Sequence, residues 1–105
     1  MLKPLTDTDF RTNVRENTDP IVIMFTGSWC QPCKRFKPTV EEMAQQMAGD
    51  VRFAEMDIEH AEETASHLNI RSVPSVVLFS NGMVQNIHVG TMTKTELRLW
   101  IQENI

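Results

Sequence analysis

The sequence predicts an α/β domain in which a central mixed sheet carries helices on both faces. Three observations lead there. Ile21-Val22-Ile23-Met24-Phe25 is apolar on both alternating sets of side chains, as a strand covered on two sides must be. Asn81-Gly82 stands between two apolar runs, residues 76–79 and 83–89, and specifies a tight hairpin of antiparallel neighbours. Helical apolar spacing alternates with strand-like runs, giving the order α, β, α, β, α, β, β, α, with a parallel, helix-connected first half.

Each element has a local cause. Thr6 is the N-cap of the first helix, Asp9 its third helical residue, and Leu5 and Phe10 have the spacing of a hydrophobic staple. This helix is expected to run to about Asn17, burying Phe10 and Val14, before Thr18-Asp19-Pro20 stops it. Thr26-Gly27-Ser28 turns from the first strand into a helix with the apolar stripe Val40, Met43, Ala44 and Met47. Pro38 removes a backbone hydrogen bond inside that helix and is expected to angle its first turn away; Gly49-Asp50 ends it. The second strand is expected over 51–58, with Val51, Phe53 and Glu55 on one face and Ala54 and Met56 on the other. A short helix over 59–68 turns Ala61, Ala65 and Leu68 inward and leaves Glu62 and Glu63 solvated, and Asn69 suits a left-handed end. Ser72-Val73-Pro74-Ser75 interrupts the chain before the hairpin. Thr93-Lys94-Thr95-Glu96 is a capping box stapled by Met92 and Leu97, and Leu97, Trp100 and Ile101 form the buried stripe of the last helix.

The chemistry gathers at Trp29-Cys30-Gln31-Pro32-Cys33-Lys34, which holds the only two cysteines, three apart, where the first strand enters a helix. Unpaired N–H groups and the helix dipole stabilise an anion there, so a cysteine at that place has a depressed pKa and serves as a nucleophile. Lys34, Arg35 and Lys37 add positive charge, and Pro32 suits the first helical turn. Two such cysteines can exchange thiol for disulfide, supply half a zinc site, or be inert. Zinc takes four ligands, and His60, His67 and His88 are scattered with no second cysteine pair, so no metal is expected. The strand–helix setting favours redox chemistry.

A chain of 105 residues makes one domain with a single core. Its net charge of −4 offers no basic footprint for nucleic acid, and no apolar run approaches membrane-spanning length. The first residues contain no apolar signal core, and with one cysteine pair the expected compartment is the reducing cytoplasm, where such pairs are more often catalytic than structural. The seven methionines suit a pliable core, and the three histidines read as surface residues.

This order of elements, with a WCxPCK motif at the first strand–helix junction, resembles the thioredoxin family over essentially the whole chain. Pro38, Ile70-Arg71-Ser72-Val73-Pro74, Phe79-Ser80-Asn81-Gly82 and Val89-Gly90 carry the resemblance further. It implies the thioredoxin fold and a protein disulfide oxidoreductase. By position, Cys30 attacks a substrate disulfide, and the more buried Cys33 resolves the mixed disulfide. Trp29, Gln31, Pro32, Val73, Pro74 and Gly90 are expected to line a shallow substrate groove, with the Val73 backbone pairing with an extended peptide. Trp29 is expected to avoid full burial because it stands beside an exposed cysteine, and Lys34 to help stabilise the thiolate. Pro74 is expected to follow a cis bond and face the dithiol. The resemblance further implies a monomer with no bound cofactor beyond the redox-active Cys30–Cys33 pair. Its partners would be disulfide-containing proteins and a flavoprotein reductase using NADPH, with neither nucleic acid nor membrane.

Three positions depart from the family pattern. Gln31 stands where glycine is usual between the cysteines, so the reduction potential cannot be carried over. Met24 replaces a buried aspartate credited with moving a proton for the second cysteine, and Glu55 replaces the lysine near it. Glu55 is therefore the candidate proton relay, buried beside Met24 with a raised pKa; otherwise it reaches solvent at a sheet edge. Thr26 replaces the usual aromatic after the strand, a packing change. From other functional classes, a redox-silent binding module on the same fold and a metal or thiol carrier remain as alternatives.

Overall fold

A computed structural model describes all 105 residues. Its elements are β1 (Lys3–Pro4), α1 (Asp7–Phe10), a π-helical turn (Arg11–Arg15), β2 (Ile21–Thr26), α2 (Gln31–Gln46), β3 (Arg52–Asp57), α3 (Glu62–His67), β4 (Ser75–Ser80), β5 (Met83–Val89) and α4 (Lys94–Asn104). The five strands form one mixed sheet in the order β1-β3-β2-β4-β5. β1, β3 and β2 run parallel, and β4 is antiparallel to both β2 and β5.

The sheet divides two cores. On one face, Met24, Val76 and Leu78 pack against Phe36, Val40 and Met43 of α2 and Leu97 and Ile101 of α4. On the other, Ile23, Phe25, Val77 and Phe79 pack against Phe10, Val14 and Ala65 of the first helix and α3. Ile21 to Phe25 are all buried, which is why that run shows no polar alternation. Each large apolar side chain so buried contributes about 1.5–3 kcal/mol. The mixed sheet and two helical layers are as expected.

Several boundaries differ from the expectation. The chain opens with β1, a two-residue strand too short to show a pattern, whose pairing with β3 is fixed only by tertiary contact. The first helix passes into a π turn and ends at Arg15 rather than near Asn17. β3 spans Arg52–Asp57 rather than 51–58. The short helix begins at Glu62 rather than 59, because Asp57 Oδ1 accepts from the Glu59 N–H at 2.8 Å and holds a turn there. Its N-terminus is capped from outside: Asp7 of α1 accepts from the Thr64 N–H at 2.8 Å, the Thr64 hydroxyl at 2.6 Å and the Glu63 N–H at 3.2 Å. α2 closes at Gln46, before Gly49-Asp50, and Trp100 is half-buried rather than part of the deep stripe. Both capping acids hold: the Thr6 N–H donates to Asp9 at 3.0 Å, and the Thr93 N–H to Glu96 at 2.9 Å.

The hairpin turns through Asn81 and Gly82 with φ of 55° and 75°, as the pair predicts. Gly82 is fixed twice over, because a Cβ there would collide with the Arg15 carbonyl oxygen at the end of the π turn. Asn69 takes the left-handed conformation, with φ 61°.

Candidate active site

Cys30 is the N-cap of α2, and Pro32 lies in the first helical turn. The Cys30 backbone is extended, at φ −91° and ψ 106°, which turns its side chain over the open end of the helix. The Cys33 N–H donates to Cys30 Sγ at 3.1 Å, so an orphan amide of the first turn already addresses the sulfur. The two cysteines are joined as a disulfide with Cα atoms 5.3 Å apart. Across the site the Val73–Pro74 bond is cis, as expected, and the Val73 carbonyl oxygen lies 3.6 Å from Cys30 Sγ. That oxygen is the acceptor a Cys30 thiol would meet.

The expectation of an exposed Cys30 is not met. It is 4% exposed against 1% for Cys33, because the helix end, Val73 and the Met24 side of the core enclose both. Trp29 is instead the exposed member, at 60%. Its indole lies over Gly27, where an added Cβ would come within 3.0 Å of the ring. Gly27 is thus a site residue that its place in a turn tripeptide did not reveal.

A groove of about 560 Å³ runs beside the dithiol. Pro32, Val73, Pro74 and Gly90 line it as expected, together with Arg35, Phe36, Thr39, Thr91 and Met92. Trp29 and Gln31 do not line this groove; they lie on the surface on either side of Cys30 in sequence. Gly90 has φ 102°, and its N–H donates to the Pro74 carbonyl at 2.9 Å, tying β5's end to the cis turn. A slightly larger cleft, about 590 Å³ between α1 and α3, contains neither cysteine.

On the opposite side a smaller pocket, about 210 Å³, is lined by Cys33, Lys34, Lys37, Glu55, Asp57 and the Thr26-Gly27-Ser28 turn. Here the structure gives Glu55 a partner that the sequence did not name. It is neither alone beside Met24 nor at an open sheet edge. Glu55 stands in register with Met24, and β1 covers the other side of its strand, with the Leu5 N–H donating to the Glu55 carbonyl at 2.9 Å. Its carboxylate pairs with Lys37 of α2, with Nζ to Oε2 3.0 Å and Nζ to Oε1 3.3 Å. Oε2 has the shorter charge contact but lies off the hydrogen-bonding direction, leaving it a buried oxygen without a hydrogen bond. Lys34 lines the same pocket; its backbone N–H closes the first helical bond to the Cys30 carbonyl at 3.3 Å. No three His, Cys, Asp or Glu side chains gather into a metal-binding cluster.

A sheet of this topology, with a dithiol capping the helix after its central strand and the Val73 carbonyl facing it, defines a thiol–disulfide oxidoreductase. A sequence profile of the thioredoxin family matches residues 1–103. The chain is 34% identical to thioredoxin C-2 of Corynebacterium nephridii over 95% of its own length and 93% of that protein. It is 32% identical to thioredoxin of Rickettsia prowazekii over the whole of both chains. With thioredoxin of Haemophilus influenzae it shares 34% identity over 96% of its length and 94% of the relative. The chain belongs to the thioredoxin family.

Proposed function

We propose that the chain reduces disulfides in protein substrates, with Cys30 as nucleophile and Cys33 as resolving thiol. The observation that carries this is Cys30 at the helix cap, its sulfur held by the Cys33 amide and facing the Val73 carbonyl at the edge of an apolar groove. An extended substrate segment pairs with the Val73 backbone and seats against Pro32, Pro74 and Gly90. Trp29 and Gln31 border the approach. The Cys30 thiolate attacks one substrate sulfur, forming a mixed disulfide and expelling the other sulfur as a thiolate. Cys33, as thiolate, then attacks Cys30 Sγ and releases the second substrate thiolate. Two electrons leave the dithiol, the substrate thiolates take up two protons, and Cys30–Cys33 is left oxidised. The dithiol carries the electrons itself, so no bound cofactor is invoked.

Glu55 accepts the Cys33 proton through the small pocket both residues line. Liquid water occupies about 30 Å³ per molecule, so this pocket has room for a bridging chain. The Glu55 carboxylate, which lines the pocket, supplies the acceptor, and Lys37 holds it in place. Lys34 adds positive potential beside the sulfurs. The protein acts as a monomer in the cytoplasm, and a flavoprotein reductase using NADPH restores the dithiol.

Equilibration in defined thiol–disulfide buffers, read by Trp29 fluorescence, tests the reductive direction. A potential near about −270 mV supports a cytosolic reductant despite Gln31. A value near about −180 mV or above points to an isomerase or oxidant. Absence of reversible titration would leave the groove as a binding module.

A further inference from the structure

The wall of the substrate groove is apolar, glycine and threonine, except at Arg35. That is its single charged side chain, and it is exposed. Arg52, Arg71 and Arg98 each donate to a polar group of the chain, Arg15 lies over the Phe10 ring, and Arg11, which has no such partner, lines the cleft between α1 and α3, away from the dithiol. Arg35 takes part in none of the ion pairs. Nor is its charge cancelled nearby. Lys37 is neutralised by Glu55, on the far side of the dithiol. Glu59 accepts from Ser28 on that same far side, where Asp57 also lines the pocket. Lys34, next to Arg35 in sequence, lines the far-side pocket with Glu55 and Asp57 and leaves Arg35 as the groove's own charge.

We propose that Arg35 makes the groove selective for substrate segments carrying a carboxylate side chain close to the attacked cysteine. This rests on the reduction of protein disulfides proposed above. The guanidinium fork matches a carboxylate in two parallel hydrogen bonds, which lysine would not provide. Arg35 follows Cys30 by five residues, about 7.5 Å along a helix at 1.5 Å per residue. An extended peptide covers that span in about two to three residues. The net charge of −4 opposes acidic partners at long range, but screening confines that field to about 8 Å at physiological salt. At contact, the nearest unpaired charge decides.

The test uses disulfide-linked peptides identical but for Glu, Gln or Lys two residues before or after the attacked cysteine. Second-order rates of oxidation of the reduced protein are read by Trp29 fluorescence. The wild type reduces the Glu peptide fastest and the Lys peptide slowest, with about fivefold between them in one of the two placements. Arg35→Glu reverses the order and Arg35→Gln flattens it, and the wild-type preference shrinks as salt is raised. Equal rates for the three peptides, or an order that Arg35→Glu leaves intact, would overturn the role of Arg35 while leaving disulfide reduction standing. Failure of the wild type to reduce any of them would overturn both.

Discussion

Replacing Glu55 by Gln keeps the side chain's shape and removes its ability to take a proton. The pair it breaks is partly screened, with the Lys37 and Glu55 side chains 39% and 18% exposed, so the stability cost is about 0.5–1 kcal/mol. The kinetic effect is larger. A positioned general base contributes about 10²–10⁴-fold, and a relay through an open, polar pocket belongs at the lower end, about 10²-fold. The assay isolates one step: Cys30 is loaded as a mixed disulfide with a chromogenic aryl thiol, and Cys33 attack is followed by release of the coloured thiolate in stopped flow. With Glu55 present, the release rate is nearly flat from pH 6 to pH 8. In Glu55→Gln it is slower at pH 6 and climbs about tenfold per pH unit, because only the fraction of Cys33 already ionised can react. Lys37→Met, which keeps the base but frees it from its partner, loses less than Glu55→Gln. A Glu55→Gln variant with the wild-type rate and pH profile would refute the relay and leave solvent as the proton acceptor.

Other perturbations test the fold around the site. Gly82→Ala meets both a left-handed backbone and the Arg15 carbonyl, and is expected to cost about 2–3 kcal/mol by urea denaturation; a loss below about 0.5 kcal/mol would contradict the docking of the hairpin on the π turn. Asp7 is pushed up by desolvation, but hydrogen bonds from the Thr64 hydroxyl, the Thr64 amide and the Glu63 amide outweigh this and hold its carboxyl below the usual range. A depressed pKa adds stability above the unfolded value and loses it as pH falls through the folded one. Asp7→Asn should therefore be less stable than wild type at pH 7, by about 0.5–1 kcal/mol after screening, with the gap closing below about pH 4. A gap independent of pH would mean that the α3 cap does not depend on charge. Gly27→Ala should displace the Trp29 indole and change its fluorescence response to reduction, whereas an unchanged signal would argue against the close packing of ring on turn.

Much of this was legible in the chain because the relevant rules are local. Asn81-Gly82 demanded its turn, Thr93 and Glu96 their capping box, and the apolar run from Ile21 to Phe25 its place in the middle of the sheet. The dithiol at a strand–helix junction was equally plain, since placing Cys30 at the helix cap needs only the neighbouring pattern. β1 stayed hidden because two residues carry no periodicity, and the cap of α3 stayed hidden because Asp7 is 57 residues from Thr64 in sequence. Lys37 was counted only as one of three cations beside the cysteines. Its pairing with Glu55 across 18 residues depends on how α2 lies over β3.

By itself, then, the sequence determined the mixed sheet with its two helical layers, the hairpin, and Cys30 and Cys33 as the reactive pair. Backbone propensity, side-chain period and capping act within a few residues and can be read there. Tertiary structure decided which groups meet: Val73 with Cys30, Glu55 with Lys37, the Arg15 carbonyl with Gly82, and Arg35 with an otherwise uncharged groove. Those contacts join segments far apart in the chain, and their geometry exists only after the sheet has set strand order and register and both helical layers have packed upon it.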